Sequence, residues 1–323
     1  LKNAEKQNST PKTKPSLVRK LFSQMGWLIF ILALLAIARE LQGYEWQEVL
    51  RSMNQIPLLR LLGGLIFTIF SYIAIAYYDI IAFEYINQPL SKIKIAFAGL
   101  ITYSISPTVG FAFVTGGAIR YRIYGVWDIS SLKIAQVIAF SNLSLWVGML
   151  PIAGLIFCLI PFALPPTIIL PLPFNSLRYF GVILLIISLV YLSLTLTIKK
   201  TLQWKNYIFR FPSLSLSLQQ IITFALDWGF ASLALYCLLD IPVSYLLFFG
   251  VYVMAMVAGL LSTIPGGLGV FETIILFFLS PLEENSVILG KMLVFRCIYY
   301  LLPFLAAVFA LGLFEMDQRK IPK

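Results

Sequence analysis

Leu261-Ser262-Thr263-Ile264-Pro265-Gly266-Gly267-Leu268-Gly269-Val270-Phe271-Glu272-Thr273 is the stretch on which the fold turns. It lies in a run without charges, Ile241 to Phe271, yet it is ill suited to a regular helix. Pro265 withholds an amide donor and clashes with the preceding turn, while Gly266, Gly267 and Gly269 loosen the backbone beside it. Hydrocarbon tolerates irregular backbone only where protein or a water-filled cavity satisfies its polar groups. Ser262 to Gly269 therefore reads as a broken or re-entrant segment lining an interior. A Pro-kinked helix with glycines for close packing is the plainer alternative.

Composition places this stretch in a membrane. Of 323 residues, 60% are hydrophobic and 12% charged, about half the charged fraction of a soluble domain. There is no His, so the commonest general base and the usual zinc ligand are missing. Cys158, Cys237 and Cys297 lie far apart in apolar runs, with no metal or redox spacing. No phosphate-binding Gly-Lys-Ser/Thr loop or nucleophile elbow occurs, so no catalytic residue, metal or cofactor is expected. The net charge of +10 sits in short segments between apolar runs, the pattern of cytoplasmic loops and not of a nucleic-acid surface.

In chain order, residues 1–20 form a basic, polar tail expected in the cytoplasm near anionic headgroups. Spans are expected at Leu21–Ala38, from Pro57 through Asp79 to Ile86, at Ile134–Ile160, Tyr179–Ile198, Phe211–Leu239 and Val243–Leu261, then past the break to Leu279, and at Met292–Phe314. The Pro-rich stretch from Pro161 to Pro173 is a loop, and residues 315–323 are a second cytoplasmic tail. The whole is an all-α polytopic bundle of about eight transmembrane helices, with one or two re-entrant or broken segments, over residues 21–314. Taking the segment around Pro107 as re-entrant and the one after Pro265 as crossing puts both termini inside. All but six of the 24 Lys and Arg then fall on inside segments or tails. The six are Arg39, Arg51, Arg60, Arg178, Lys291 and Arg296, an asymmetry that fits the positive-inside rule.

The first half of the chain echoes the opening stretch. Ser106-Pro107-Thr108-Val109-Gly110, followed by Gly116-Gly117, is another Ser/Thr-Pro-Gly interruption of an apolar run. Paired interruptions point to a transporter site built from discontinuous helices. Helix N-termini at such breaks suit a phosphate or carboxylate. Ionisable residues inside apolar runs are the second signal, because charge at mid-bilayer seeks a partner or a cavity. Asp79, Asp227, Glu272 and Arg296 are these residues. Arg296 is the expected counter-ion of one acid, and Glu272 either caps the broken helix or meets a substrate. Arg120 and Arg122, two positions apart, do not share a helix face. They bind headgroup phosphates or simply obey the charge rule.

Three motifs carry a resemblance. Ile105-Ser106-Pro107-Thr108-Val109-Gly110-Phe111 with Thr115-Gly116-Gly117-Ala118-Ile119-Arg120-Tyr121-Arg122-Ile123-Tyr124 is the first. Ile264-Pro265-Gly266-Gly267-Leu268-Gly269-Val270-Phe271-Glu272 is the second, and Arg296-Cys297-Ile298-Tyr299-Tyr300-Leu301-Leu302-Pro303 the third. Together they resemble the membrane region of bacterial lysylphosphatidylglycerol synthase/flippase proteins, the multiple peptide resistance factor family. Asp79 and Asp227 fall where that family carries intramembrane acids, with Glu in many members at the position of Asp227. The resemblance covers Leu21 to Phe314.

The resemblance implies a flippase of the bacterial cytoplasmic membrane. It would move an aminoacylated phospholipid such as lysyl-phosphatidylglycerol between leaflets and so contribute to antimicrobial peptide resistance. In that family a further membrane segment and a soluble aminoacyl-transferase domain make the lipid. Residues up to Lys323 hold no such domain, so transferase activity is not carried over. The expectation is a standalone relative or the flippase part of a longer chain. In this reading Asp79 and Asp227 receive a cationic headgroup, Arg296 balances the empty site, and Arg120 or Arg122 recruits lipid phosphate at the inner face. Expected partners are membrane phospholipids, a soluble transferase domain or subunit, and a second copy in a homodimer, with no nucleic acid. The rivals are a membrane subunit of a lipid-modifying synthase and a scaffold that docks one.

Overall fold

The computed structural model describes residues 46–109, 112–160, 177–198, 202–204, 207–262 and 267–320. The expected N-terminal tail and first span, the Pro-rich loop, and Gly110, Pro265 and Gly266 lie outside the described residues. What is described is a helical polytopic membrane bundle. Without water, a backbone must satisfy its own polar groups, and a helix does so within one segment. Among the described residues, five helices are long and apolar enough to cross a membrane, and two shorter apolar helices accompany them.

An amphipathic helix, α1 (Trp46–Gln55), leads into α2 (Leu58–Tyr85). Two shorter helices follow, α3 (Lys92–Val109) and α4 (Ala112–Val126), then α5 (Ser131–Leu159) and α6 (Leu177–Thr197). A small antiparallel pair, β1 (Leu202–Trp204) and β2 (Tyr207–Phe209), stands where a basic loop was expected. The chain continues through α7 (Leu214–Leu239), α8 (Tyr245–Leu261), α9 (Val270–Leu279) and α10 (Asn285–Arg296). A π-helical turn (Cys297–Leu301) joins α10 to α11 (Leu302–Lys320). The boundary expected after Phe314 thus falls inside a helix, and Glu315 is buried.

α2 and α7 are the central antiparallel pair. Arg60 meets Asp240 at 2.5 Å at one end, and Ser71 Oγ donates to Asp227 at 2.9 Å midway. At the other end the Tyr85 hydroxyl donates to the Arg210 carbonyl at 2.5 Å. Each of the two helices is followed by a helical hairpin. In the first, Gly116 lies against Thr102 and Ser106 while Tyr124 faces Ile95, so α4 returns antiparallel along α3. In the second, Gly267 lies against Gly259 while Phe271 packs edge-on to Tyr252, so α9 returns along α8. Gly267 (φ 62°) and Gly269 (φ 82°) make the second turn in backbone conformations that side chains disfavour.

The two halves repeat with opposite direction. Asn87 just past α2 and Asp240 just past α7 both take left-handed conformations (φ 49° and 53°). The helix after each hairpin then sends a lysine back to the end of the helix before it. Lys133 Nζ donates to the Ile86 carbonyl at 2.6 Å, and Lys291 Nζ to the Leu239 carbonyl at 2.7 Å. A cation there meets both the orphan carbonyls and the negative end of the helix dipole. Each hairpin has its own apolar core. Ile101, Ile105, Ile123 and Phe304 lie in one, and Phe248, Tyr252, Ile275 and Phe295 in the other.

The π-helical turn has a local cause. Pro303 offers no amide to the Tyr299 carbonyl four residues back, and the Tyr72 hydroxyl donates to that oxygen instead, at 3.1 Å. On the periphery, α6 reaches α5 through a glycine contact. A Cβ built on Gly181 would stand 2.8 Å from the Gly154 carbonyl oxygen and 2.9 Å from Cys158 Sγ. Backbone cannot yield there as a flexible side chain would. Gly181→Leu should therefore lift α6 off α5 and cost at least about 1–3 kcal/mol, the usual overpacking range. Gly125→Ala, with nothing within 4 Å of the new carbon, should be neutral. Thermal melting of the two purified variants by fluorescence-detected gel filtration checks this, and equal midpoints would refute the contact.

Candidate functional site

The two ends of the bundle differ in charge. Lys94 stacks on Trp127 at 5.4 Å, Trp127 on Phe314, and Lys133 caps α2, so Lys92, Lys94, Lys133 and Arg210 share one end. Arg60, Lys291 and Asp240 gather at the other. Between the ends, charge at mid-depth costs about 2.5–3.5 kcal/mol on insertion scales, so each buried ion needs an account.

Asp79, on α2, is fully buried and four times bonded. Arg120 on α4 donates Nε to Oδ2 at 2.9 Å and an η nitrogen to Oδ1 at 2.7 Å. The Tyr124 hydroxyl adds 2.7 Å to Oδ2 and Ser141 Oγ 3.0 Å to Oδ1. Arg120 also lies 4.8 Å over the ring of Tyr103. This planar, two-bonded geometry is the strong form of the arginine–carboxylate pair. It fastens the first hairpin to α2. Gly116 keeps the room for it, since a Cβ there would press on Thr102 at 3.2 Å and on an Arg120 η nitrogen at 3.5 Å.

Arg122 points elsewhere, as its spacing from Arg120 requires. It makes a second two-bonded pair, with Glu315 of α11 at 2.7 and 2.6 Å. Arg296, in the last turn of α10, pairs with Glu272 of α9 at 2.6 Å through Nε. Glu272 also accepts the Gly269 amide at 2.8 Å, so it caps the broken helix. Arg296, expected as the counter-ion of one intramembrane acid, thus meets Glu272 and not the Asp79 or Asp227 whose empty site it was expected to balance. The physical reason is reach, because Glu272 and Arg296 lie on helices joined by a single short turn.

Asp227 stands apart. It is 5% exposed and lies midway along α7, and among the described residues no cation pairs with it. Its hydrogen bond comes from Ser71, whose hydroxyl also meets the Tyr299 hydroxyl at 2.8 Å. Tyr78 and Tyr252 are buried nearby: the Tyr78 hydroxyl faces the Asp227 carboxylate, and the Tyr252 hydroxyl has no hydrogen-bond partner among the described residues. One carboxylate without a cation, the buried hydroxyls of Tyr78 and Tyr252 and the π-helical turn that presents Tyr299 thus share one level of the bundle. Oxygen donors around a single negative charge suit a monovalent cation or an ammonium group.

The structure thus separates the residues singled out from sequence. Asp79 joins Arg120, Arg122 joins Glu315, Glu272 joins Arg296, and Asp227 is left to Ser71. Ser106, Pro107, Gly116 and Gly117 line the closing end of the first hairpin, and Ser262, Gly267 and Gly269 that of the second. Sequence reasoning missed Tyr124, Ser141, Ser71, Tyr78, Tyr252 and Glu315. Tyr124 was within reach, one helical turn beyond Arg120. Glu315 was not, because it sits in what reads as a tail.

No family model matches the chain. It is similar to the uncharacterized protein slr0712 of Synechocystis, with 42% identity over 301 residues that cover 92% of each chain. The inner membrane protein YbhN of Escherichia coli is 27% identical over 302 residues, 92% of this chain and 93% of the relative. Phosphatidylglycerol lysyltransferase of Staphylococcus aureus is 26% identical over 287 residues, 87% of this chain but only 32% of the relative. The chain belongs to the family of polytopic membrane proteins that joins slr0712 and YbhN to the N-terminal membrane part of phosphatidylglycerol lysyltransferase.

Proposed function

We propose that the protein carries phospholipid headgroups between the leaflets of the bacterial cytoplasmic membrane, with lysyl-phosphatidylglycerol or another amine-bearing lipid as substrate. The observation that carries this reading is Asp227, a buried carboxylate at mid-helix with hydroxyls and no cation around it among the described residues. Such a group is stable in hydrocarbon only with a partner, and a headgroup ammonium supplies one. The acyl tails stay in the bilayer while the head passes between the two hairpins. Both hairpins re-enter, the first from the basic end, which faces the cytoplasm, and the second from the opposite end. α9, at about 15 Å, is half the thickness of the hydrocarbon core. Asp79 and Arg120 hold the first hairpin in place, and Arg122 and Arg296 are the cations nearest to a lipid phosphate.

The match to a third of the lysyltransferase favours a second reading, a membrane platform for a soluble aminoacyl-transferase. On that reading Asp227 is dispensable. Proteoliposomes tested with tail-labelled anionic, zwitterionic and cationic lipids decide between them. Wild type should speed redistribution of amine-bearing lipids, and Asp227→Asn should abolish this at equal incorporation. Unchanged rates in Asp227→Asn would remove the site assignment.

The two acids should fail differently. Asp79→Asn leaves Arg120 buried without its carboxylate, a change that typically costs about 3–5 kcal/mol. It should lower the melting temperature sharply, whereas Asp227→Asn should leave it unchanged or raise it. Matching melting shifts would show that both acids are structural.

Hairpin placement is open to labelling in a cysteine-free background. Ser91→Cys and Ser130→Cys should react with an impermeant maleimide only from the cytoplasmic face. Ser244→Cys and Glu284→Cys should react only from the periplasmic face. If Ser91→Cys and Ser130→Cys label from opposite faces, the first hairpin crosses.

A further inference from the structure

An acceptor for a positive headgroup raises a question that the headgroup alone does not answer: what neutralises Asp227 when the headgroup has left. The other buried acids among the described residues carry their own cations. Asp79 has Arg120, Glu315 has Arg122 and Glu272 has Arg296. Asp227 is faced by neutral groups. Ser71, Tyr72 and Tyr78 come from α2, Tyr252 from α8, and Tyr299 and Tyr300 from the π-helical turn. Arg296 and Glu272, on the Tyr300 side, neutralise each other, with the guanidinium 5.7 Å from that ring.

A bare carboxylate in this setting has lost its hydration and gained no counter-charge, the least favourable state a buried acid can adopt. A carrier that had to pass through that state on its way back would be slow. Resting on the lipid reading above, we propose that Asp227 is the exchange point of an antiport. A small monovalent cation, proton or sodium, occupies it on one stroke, and the headgroup ammonium occupies it on the other. Counted at Asp227 alone, both states hold one carboxylate with one positive charge, and the lipid phosphate of the loaded state has to be met by a separate cation. The oxygen-only surroundings fit both occupants. Ser71 and the Tyr78 and Tyr299 hydroxyls can coordinate sodium, stabilise a protonated carboxyl, or accept from an ammonium.

The test uses the full chain in phosphatidylcholine–phosphatidylglycerol vesicles. These hold a trace of tail-labelled phosphatidylethanolamine, which carries one ammonium, or tail-labelled phosphatidylglycerol, which carries none. Lipid asymmetry is read by albumin extraction, and lumenal pH by a trapped dye, under no gradient, a pH gradient or a sodium gradient. The membrane potential is clamped at zero by potassium and valinomycin, since exchange of net-neutral phosphatidylethanolamine for a cation moves charge. For one cation exchanged per lipid, a gradient of about one pH unit should then drive an asymmetry of about tenfold in the amine lipid and none in phosphatidylglycerol. Response to the pH gradient alone assigns the proton, and response to sodium alone assigns sodium. Asp227→Asn should lose the response.

Should that variant misfold, Ser71→Ala and Tyr78→Phe keep the charge and should shift the cation concentration needed for half-maximal transport. Wild-type dependence in both removes the site. Amine lipid that reaches the same symmetric distribution at the same rate under every gradient overturns the exchange and leaves the lipid reading standing. Vesicles in which wild type moves no lipid overturn both.

Discussion

A charge in the interior of this bundle has to be neutralised where it lies, because hydrocarbon offers no solvent to do it. That constraint explains why the buried pairs are built as they are. Arg120 and Arg122 each give a carboxylate two parallel hydrogen bonds, and Asp79 takes two more from Tyr124 and Ser141. A planar guanidinium satisfies a carboxylate more completely than a point charge does, which is why arginine and not lysine fills these positions. Both described lysines with interior contacts sit at helix ends instead, on carbonyls that need only a donor.

The pairs also decide what is held and what is free. The first hairpin is tied to α2 by Arg120–Asp79 and to α11 by Arg122–Glu315. The second is tied through Glu272–Arg296 at the start of its returning helix. These ties couple each hairpin to a long helix that runs the depth of the bundle, so neither hairpin shifts without breaking a buried ion pair. Since the halves are inverted, displacement of one hairpin opens toward one end and of the other toward the opposite end. Asp227 and Ser71 occupy the midpoint of the α2–α7 contact. On the lipid reading proposed above, they are the fixed site about which the hairpins would rearrange, as alternating access requires.

Much of this was legible in the sequence, and the limits have physical causes. The long spans were found within a few residues, because Asp, Arg, Lys and Pro mark their ends plainly; Leu214–Leu239 and Leu177–Thr197 are examples. Of the two expected interruptions, Ser262 to Gly269 does separate α8 from α9, whereas α3 continues through Pro107 to Val109, because a proline two residues from a helix end removes little of its hydrogen bonding. The partners of the buried charges were not. Arg296 was expected to pair with one intramembrane acid, with the partner left open, since sequence shows that an ion is buried but not which residue a helix turn brings to it. Glu315 was assigned to a tail because its neighbours Asp317, Arg319 and Lys320 are polar. Only the packing of α11 against the first hairpin reveals it as the counter-ion of Arg122.

The broken helices invite a simple account in which their exposed amides bind a lipid phosphate, and α9 argues against its simplest form. Its first amides are not vacant, because Glu272 already accepts from the Gly269 nitrogen and is itself held by Arg296. A phosphate arriving there has to displace one carboxylate with another anion, and gains only if Arg296 stays behind to meet it. The break therefore works less as an open anion cradle than as a latch whose carboxylate and guanidinium part together. On the proposed lipid reading, that would rank the two recognition elements of a zwitterionic headgroup: the ammonium would meet a waiting acid in Asp227, while the phosphate would have to compete for its place.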